Sequence, residues 1–160
     1  MARVRAAPAY ASCFISYAYP DRDFADRLHS DLSAIGVTSW LDTKDLEIGS
    51  DLSDAIHKAI QAHDKVLPIL SETSLRSSWV RAEIRHGLTL EAERRKSVLF
   101  PLRVDDAVFG LAGVSEIEAL KRKQIGDFTN WRDPAAYQRE FSRLARALAI
   151  STAIESEARA

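Results

Sequence analysis

Residues 11–41 read ASCFISYAYPDRDFADRLHSDLSAIGVTSWL, and they decide the fold because they carry a strand, a helix and a second strand in succession. Ala11 to Tyr17 is short, aromatic and bounded by turn formers, which predicts a buried strand. From Asp21 to Ile35, Phe24, Leu28, Leu32 and Ile35 recur at helical spacing, and Gly36 supplies the stop. Val37 to Leu41 then reads as the next strand.

The same alternation continues toward the C-terminus. Asp42 to Gly49 (DTKDLEIG) is too charged for an element interior and reads as a loop. Leu52, Ala55, Ile56, Ala59 and Ile60 form an apolar stripe on a helix from Asp51 to Ala62, with Ser50 available as its cap. Lys65 to Leu70 (KVLPIL) is a third strand, although Pro68 lacks a ladder donor and argues against full pairing. Ser71 to Ser78 is a Ser/Thr-rich connection, after which Val80, Ile84 and Leu88 return to helical spacing from Trp79 to Arg94. Ser97 to Val104 is a fourth strand, Asp105 to Lys123 is irregular with a short helix, and Gln124 to Phe128 is a fifth strand. Asp133 caps a last helix that Pro134 opens, striped by Tyr137, Phe141, Leu144 and Leu148.

Five alternations of strand and helix predict an α/β fold with a doubly wound parallel sheet covered on both faces, since parallel strands need crossover connections. The common flavodoxin-like order for five strands is 2-1-3-4-5, and ligands then sit at the carboxyl ends of the first and third strands, where the order switches. That selects Tyr17 to Pro20 and Ser71 to Ser78. The expected organisation is one domain over 11–150, an extension at 1–10 and a fraying tail at 151–160.

Composition narrows the function. At 160 residues the chain can bury one substantial core, and 46% hydrophobic with 28% charged residues is too apolar for a disordered chain. A net charge of -1 offers no basic excess, so no nucleic-acid partner held through phosphates is expected. Cys13, the single cysteine, lies in an apolar run and reads as a buried structural thiol in a reducing, cytoplasmic setting. No segment approaches the roughly 20 apolar residues of a membrane span, and Met1 to Tyr10 has no continuous apolar h-region. Neither export nor a membrane partner is expected.

Trp79 and Glu83 stand four residues apart, which makes them neighbours on one face of a helix. On the helical wheel Glu83 falls between Trp79 and Val80 and borders the apolar sector, so its carboxylate is expected at the crevice mouth, partly desolvated beside an aromatic plane. The spacing equally allows a half-exposed glutamate paired with Arg81 or with an arginine from another helix.

Four segments taken together resemble successive boxes of the TIR family: Phe14-Ile15-Ser16-Tyr17 before an acidic helix start, Trp40-Leu41-Asp42 leading into Leu46-Glu47-Ile48-Gly49, Leu70-Ser71, and Ser78-Trp79-Val80-Arg81-Ala82-Glu83. The resemblance spans Ala11 to about Leu148, and Gln124 to Trp131 (QIGDFTNW) is similar to the fifth-strand region of bacterial TIR domains. It implies that Asp42 to Gly49 is the BB loop, through which such domains contact one another. It also implies that Trp79 to Glu83 is the WxxxE pattern of TIR domains that hydrolyse or cyclise NAD⁺, with Glu83 catalytic and NAD⁺ a substrate, not a cofactor. By the same resemblance Ser16, Tyr17, Ala18, Tyr19, Asp42, Leu46, Gly49 and Ser71 would line the pocket, with Trp79 beside it. Ala18 brings no cation to a diphosphate. The rival expectation is a TIR adaptor without catalysis, whose BB loop recruits other TIR domains.

Other chemistries find less support. No GxGxxG follows the first strand and no GxxxxGK[ST] occurs anywhere. His29, His57, His63 and His86 lie on predicted helices without paired ligand spacing, so no metal is expected. Asp42, Asp45 and Glu47 read as a solvated loop, not a cation site. A phosphoacceptor domain would want an aspartate at the end of the third strand, which here ends in Leu70-Ser71.

Overall fold

The computed structural model describes residues 9–41, 48–49 and 51–150. Chain order is β1 (Ala9–Tyr10), β2 (Cys13–Ser16), a 3-10 turn (Tyr19–Asp21), α1 (Arg22–Ala34), β3 (Ser39–Leu41), α2 (Leu52–Ala62), β4 (Lys65–Leu70), α3 (Glu72–Arg76) and α4 (Ser78–Arg94). It continues with β5 (Leu102–Arg103), α5 (Ala107–Gly110), α6 (Ser115–Lys121), β6 (Gly126–Asp127), α7 (Pro134–Leu148) and β7 (Ala149–Ile150).

Five strands form one parallel sheet in the order β3-β2-β4-β5-β6, which is the expected 2-1-3-4-5 arrangement. The crossover rule explains the layers. The step from β2 to β3 runs one way across the sheet and every later step runs the other way, so right-handed connections place α1 on one face and α2, α4 and α6 on the opposite face. Two cores result. Cys13, Ile15, Leu67 and Ile69 meet Phe24, Leu28 and Leu32 of α1 and Phe141 and Leu148 of α7. Phe14, Val66 and Leu70 face the other way, onto Ile60, Val80, Ile84, Ile117 and Leu120. Alternate residues of β2 and β4 thus serve opposite faces, which is why both strands read as unbroken apolar runs.

Several local expectations hold and several are corrected. Gly36 stops α1 with φ +92°, and the Val37 amide returns to the Leu32 carbonyl at 2.9 Å. Asp133 Oδ2 accepts from the Ala136 amide at 3.0 Å, capping α7. The cap of α2 is Asp51, whose Oδ1 accepts from the Asp54 amide at 3.0 Å. Ser50, Asp42 to Glu47 and the tail at 151–160 lie outside the described residues, as do the side chains of Leu52 and Ile56. At the other end Ala9 and Tyr10 pair antiparallel with Ile150 and Ala149, so part of the expected extension forms a small second sheet.

Pro68 sits inside the central strand, and that strand is not fully paired there, as its missing donor predicts. The neighbouring strand accommodates it. The Val66 amide donates to Val98 and the Phe100 amide to Val66, and regular pairing resumes only at Ile69↔Leu102. The missing donor of Pro68 falls in that gap, which also shortens the expected strand 97–104 to Leu102–Arg103. The connection at 71–78 is likewise not irregular: it contains α3, fixed by a reciprocal capping box between Ser71 and Ser74.

Helix α4 lies close against the sheet because position 87 has no side chain. A Cβ built on Gly87 would stand 2.5 Å from Leu99 Cδ2 and 2.7 Å from its Cγ. Gly87→Val should therefore lift α4 from the sheet and cost about 2 kcal/mol, lowering the melting temperature by roughly 4–8 °C. Thermal unfolding of the variant checks this, and an unchanged melting temperature would show that the contact is slack.

Candidate functional site

The loops after β2 and β4 open a crevice at the carboxyl end of the sheet, where the strand order switches. Its cavity, about 440 Å³, is lined by Tyr17, Ala18, Tyr19, Pro20, Thr73, Arg76, Ser77 and Trp79. Both selected loops contribute. Tyr19 is 72% exposed, with the Arg22 guanidinium 4.2 Å from its ring centroid.

Hydrogen bonds hold the two walls together beneath this lining. Ser71 Oγ donates to Asp21 Oδ2 at 2.5 Å, joining the turn after β2 to the end of β4, and accepts from the Ser74 amide at 3.0 Å. Asp105 accepts from the Glu72 amide at 2.9 Å and from the Ala107 amide at 2.9 Å, so the connection after β5 is fastened to α3 as well. Ser77 Oγ caps α4 by accepting from the Val80 amide at 3.3 Å.

The expected site residues divide into three groups. Tyr17, Ala18, Tyr19 and Trp79 line the crevice as anticipated. Ser16 and Ser71 do not line it: Ser16 is fully buried at the end of β2, and Ser71 is 4% exposed and occupied in capping α3 and binding Asp21. A strand-end residue of a sheet covered on both faces points into a core layer, and a capping hydroxyl is turned toward the helix it caps; neither faces the crevice. Asp42 and Leu46 lie outside the described residues, while Gly49 is exposed with φ +89°.

Glu83 departs from expectation most. The helical wheel places it at the crevice mouth, partly desolvated; the structure leaves it 0% exposed. The reason is the position of α4, wedged between α2, α3, α6 and the sheet, so that the sector between Trp79 and Val80 faces inward. Arg81, considered as its partner, forms an ion pair with Glu116 of α6 at 3.3 Å. Glu83 lies about 6 Å along the axis from Trp79. Helical side chains lean toward the N-terminus, so this carboxyl leans toward the crevice end of α4.

Thr73, Arg76 and Asp21 are not singled out as site residues by the sequence. Thr73 and Arg76 reach the crevice because 72–76 is helical, and the Ser71-x-x-Ser74 spacing was the signal for that helix. Arg76 is the cation among the described lining residues, 79% exposed and paired with Glu72 one turn away at 2.9 Å. Asp21, the residue from which α1 starts, also ties the crevice walls.

The chain belongs to the TIR domain family, whose model matches residues 13–145. No curated protein matches the chain. Among solved structures it is similar to the TIR domain of the Toll-related receptor TRR-2 from Hydra magnipapillata, with TM-score 0.64 and 16% identity over 84% of this chain and 97% of that one. It is also similar to a prokaryotic SEFIR domain, with TM-score 0.61 and 17% identity over 86% and 98% of the two chains. The TIR domains of the activated Roq1 resistosome give TM-score 0.55 and 22% identity over 86% and 84%. These likenesses establish the fold. Among the described residues, no helix is long and apolar enough to cross a membrane.

Burial raises the Asp21 carboxyl above its ordinary value of 3.8, the Ser71 hydrogen bond draws it back, and the Asp105 carboxylate adds to the rise. A carboxyl raised by folding favours the native state fully below its unfolded pKa and loses that contribution as pH climbs through the folded value. Asp21→Asn keeps an acceptor for Ser71 but carries no charge. Its stability relative to wild type should be lowest near pH 3.5 and increase from about pH 4 upward; urea unfolding across this range reads the difference, and a pH-independent gap would contradict it.

Proposed function

We propose that this TIR domain cleaves the nicotinamide–ribose bond of NAD⁺, with Glu83 as its catalytic carboxylate. The observation that carries the reading is an acidic side chain withheld entirely from solvent, one turn below Trp79, on the helix that starts at the crevice. Carboxylates are seldom completely buried, and a buried acid beside a cleft is a candidate functional group.

The chemistry suits a single carboxylate. Nicotinamide departs as a neutral base, taking the electron pair of the C1′–N bond, so no acid is needed to protonate it. Glu83 accepts hydrogen bonds from the nicotinamide ribose hydroxyls and stabilises the oxocarbenium-like transition state. Water adding at C1′ and losing a proton gives ADP-ribose; an adenine nitrogen attacking instead gives a cyclic product. Tyr19 and Trp79 offer aromatic surfaces to the ligand, and Arg76 supplies the cation that Ala18 does not. Self-association through Asp42 to Gly49 brings a protomer to its competent form, which explains how a sealed carboxyl gains access to substrate. The signalling is cytoplasmic, and the partners are NAD⁺ and further TIR domains.

The same burial favours one other reading, a TIR adaptor in which Glu83 only packs α4 and the domain recruits its own kind. Incubation with NAD⁺ separates the two. Nicotinamide release should increase more than proportionally with protein concentration, and Glu83→Gln should lower it at least about 100-fold with an unchanged circular dichroism spectrum. No release at any concentration would leave the adaptor. In the active protein Arg76→Ala should raise KM about tenfold while kcat changes little, as expected for the loss of one phosphate-binding cation; an unaltered KM would place the diphosphate elsewhere.

A further inference from the structure

Helices α2 and α4 pack side by side, and each contributes a histidine to their outer seam. His57 Nδ1 and His86 Nδ1 stand 3.2 Å apart, with ring centroids 4.9 Å apart and planes inclined at 62°. Twenty-nine residues separate them in sequence, so spacing along the chain does not reveal the pair.

Two nitrogens facing each other at this distance must share something. Two protonated imidazoles would oppose two N–H donors and two positive charges, so at least one Nδ1 is unprotonated, and either one N–H···N hydrogen bond or a shared cation can satisfy both nitrogens. Two imidazole nitrogens bound to one tetrahedral zinc at about 2.0–2.1 Å stand roughly 3.3–3.4 Å apart, close to the separation already present. The rings need not move far to bind.

We propose that His57 and His86 form a two-imidazole site for a divalent transition-metal ion of the zinc class, which clips α2 to α4. The ligand set selects the metal: imidazole suits zinc, nickel and copper, whereas magnesium and calcium prefer oxygen. Among the described residues no group of three His, Cys, Asp or Glu side chains could hold a metal, so water completes the shell. An open, exchangeable shell implies micromolar affinity, not a permanent structural ion. The surroundings permit a cation. Arg85, the neighbouring positive charge, directs Nη1 to Glu116 of α6 at 3.3 Å. On the α2 side Lys58 follows His57 and Asp54 stands three residues before it, charges of opposite sign.

The experiment uses the full 160-residue chain, stripped of metal, and titrates ZnCl₂, NiCl₂ and MgCl₂ at pH 7.5. Zinc and nickel at about tenfold over Kd should raise the melting temperature by roughly 3–6 °C, and magnesium should not. His57→Gln and His86→Gln should each weaken zinc binding at least about tenfold by calorimetry. In the wild-type chain, ¹⁵N-imidazole spectra should show the Nδ1 resonances of both histidines shifting together on addition of zinc, a readout independent of any variant. Equal affinity in the variants, no binding below about 1 mM, or zinc-induced shifts confined to other histidines would overturn the site.

Discussion

Parallel strands cannot be joined by a tight turn, and the crossovers they require govern every other feature of this protein. The chain steps once in one direction across the sheet, from β2 to β3, and then reverses for the remaining strands. Right-handed connections convert that reversal into two helical layers and two cores, with the loops after β2 and β4 departing toward opposite faces. A crevice at their parting is the direct geometrical result. Its position does not depend on the identity of any single lining residue.

Within this frame two kinds of contact set the site's dimensions. Hydrogen bonding from Ser71 to Asp21 fixes the separation of the walls, and the absence of a side chain at Gly87 brings α4 down onto Leu99. Once α4 lies that low, the sector holding Glu83 faces protein on every side. Burial of this carboxyl is thus a consequence of helix-to-sheet distance. The proposed catalytic role draws on that burial, because a charge removed from water would interact strongly with charge that develops beside it. The outer seam of α2 and α4 follows from the same packing, which is why His57 and His86 meet there.

The fold was legible because its signals are local. Apolar runs at β2 and β4, the 3.6-residue stripe of α1, the Gly36 stop and the Asp133-Pro134 start are each written in a few consecutive residues. Strand order followed from a rule about crossovers, and the crevice from a rule about strand order. What escaped is non-local. Pro68 could be judged in its central strand only by knowing that its neighbour breaks opposite it, and the full burial of Glu83 depends on the layers packed around α4. Helix α3 is the exception, since its Ser71-x-x-Ser74 cap stood in the sequence and was read as a polar connection. Ser16 and Ser71 are placed in the pocket by resemblance, whereas Ser16 is fully buried at the end of β2 and the Ser71 hydroxyl is held by the cap of α3.

The proposed reaction requires NAD⁺ to lie across the crevice with its nicotinamide end toward α4. A titration with a carbocyclic, non-cleavable NAD⁺ analogue, observed through the indole N–H signals of the three tryptophans, tests this most directly. Trp79, identified by the signal lost in Trp79→Phe, should move strongly, while Trp131, packed against Phe24 on the opposite layer, should stay in place. A saturating shift at Trp131 with Trp79 unmoved would contradict the assignment of the site.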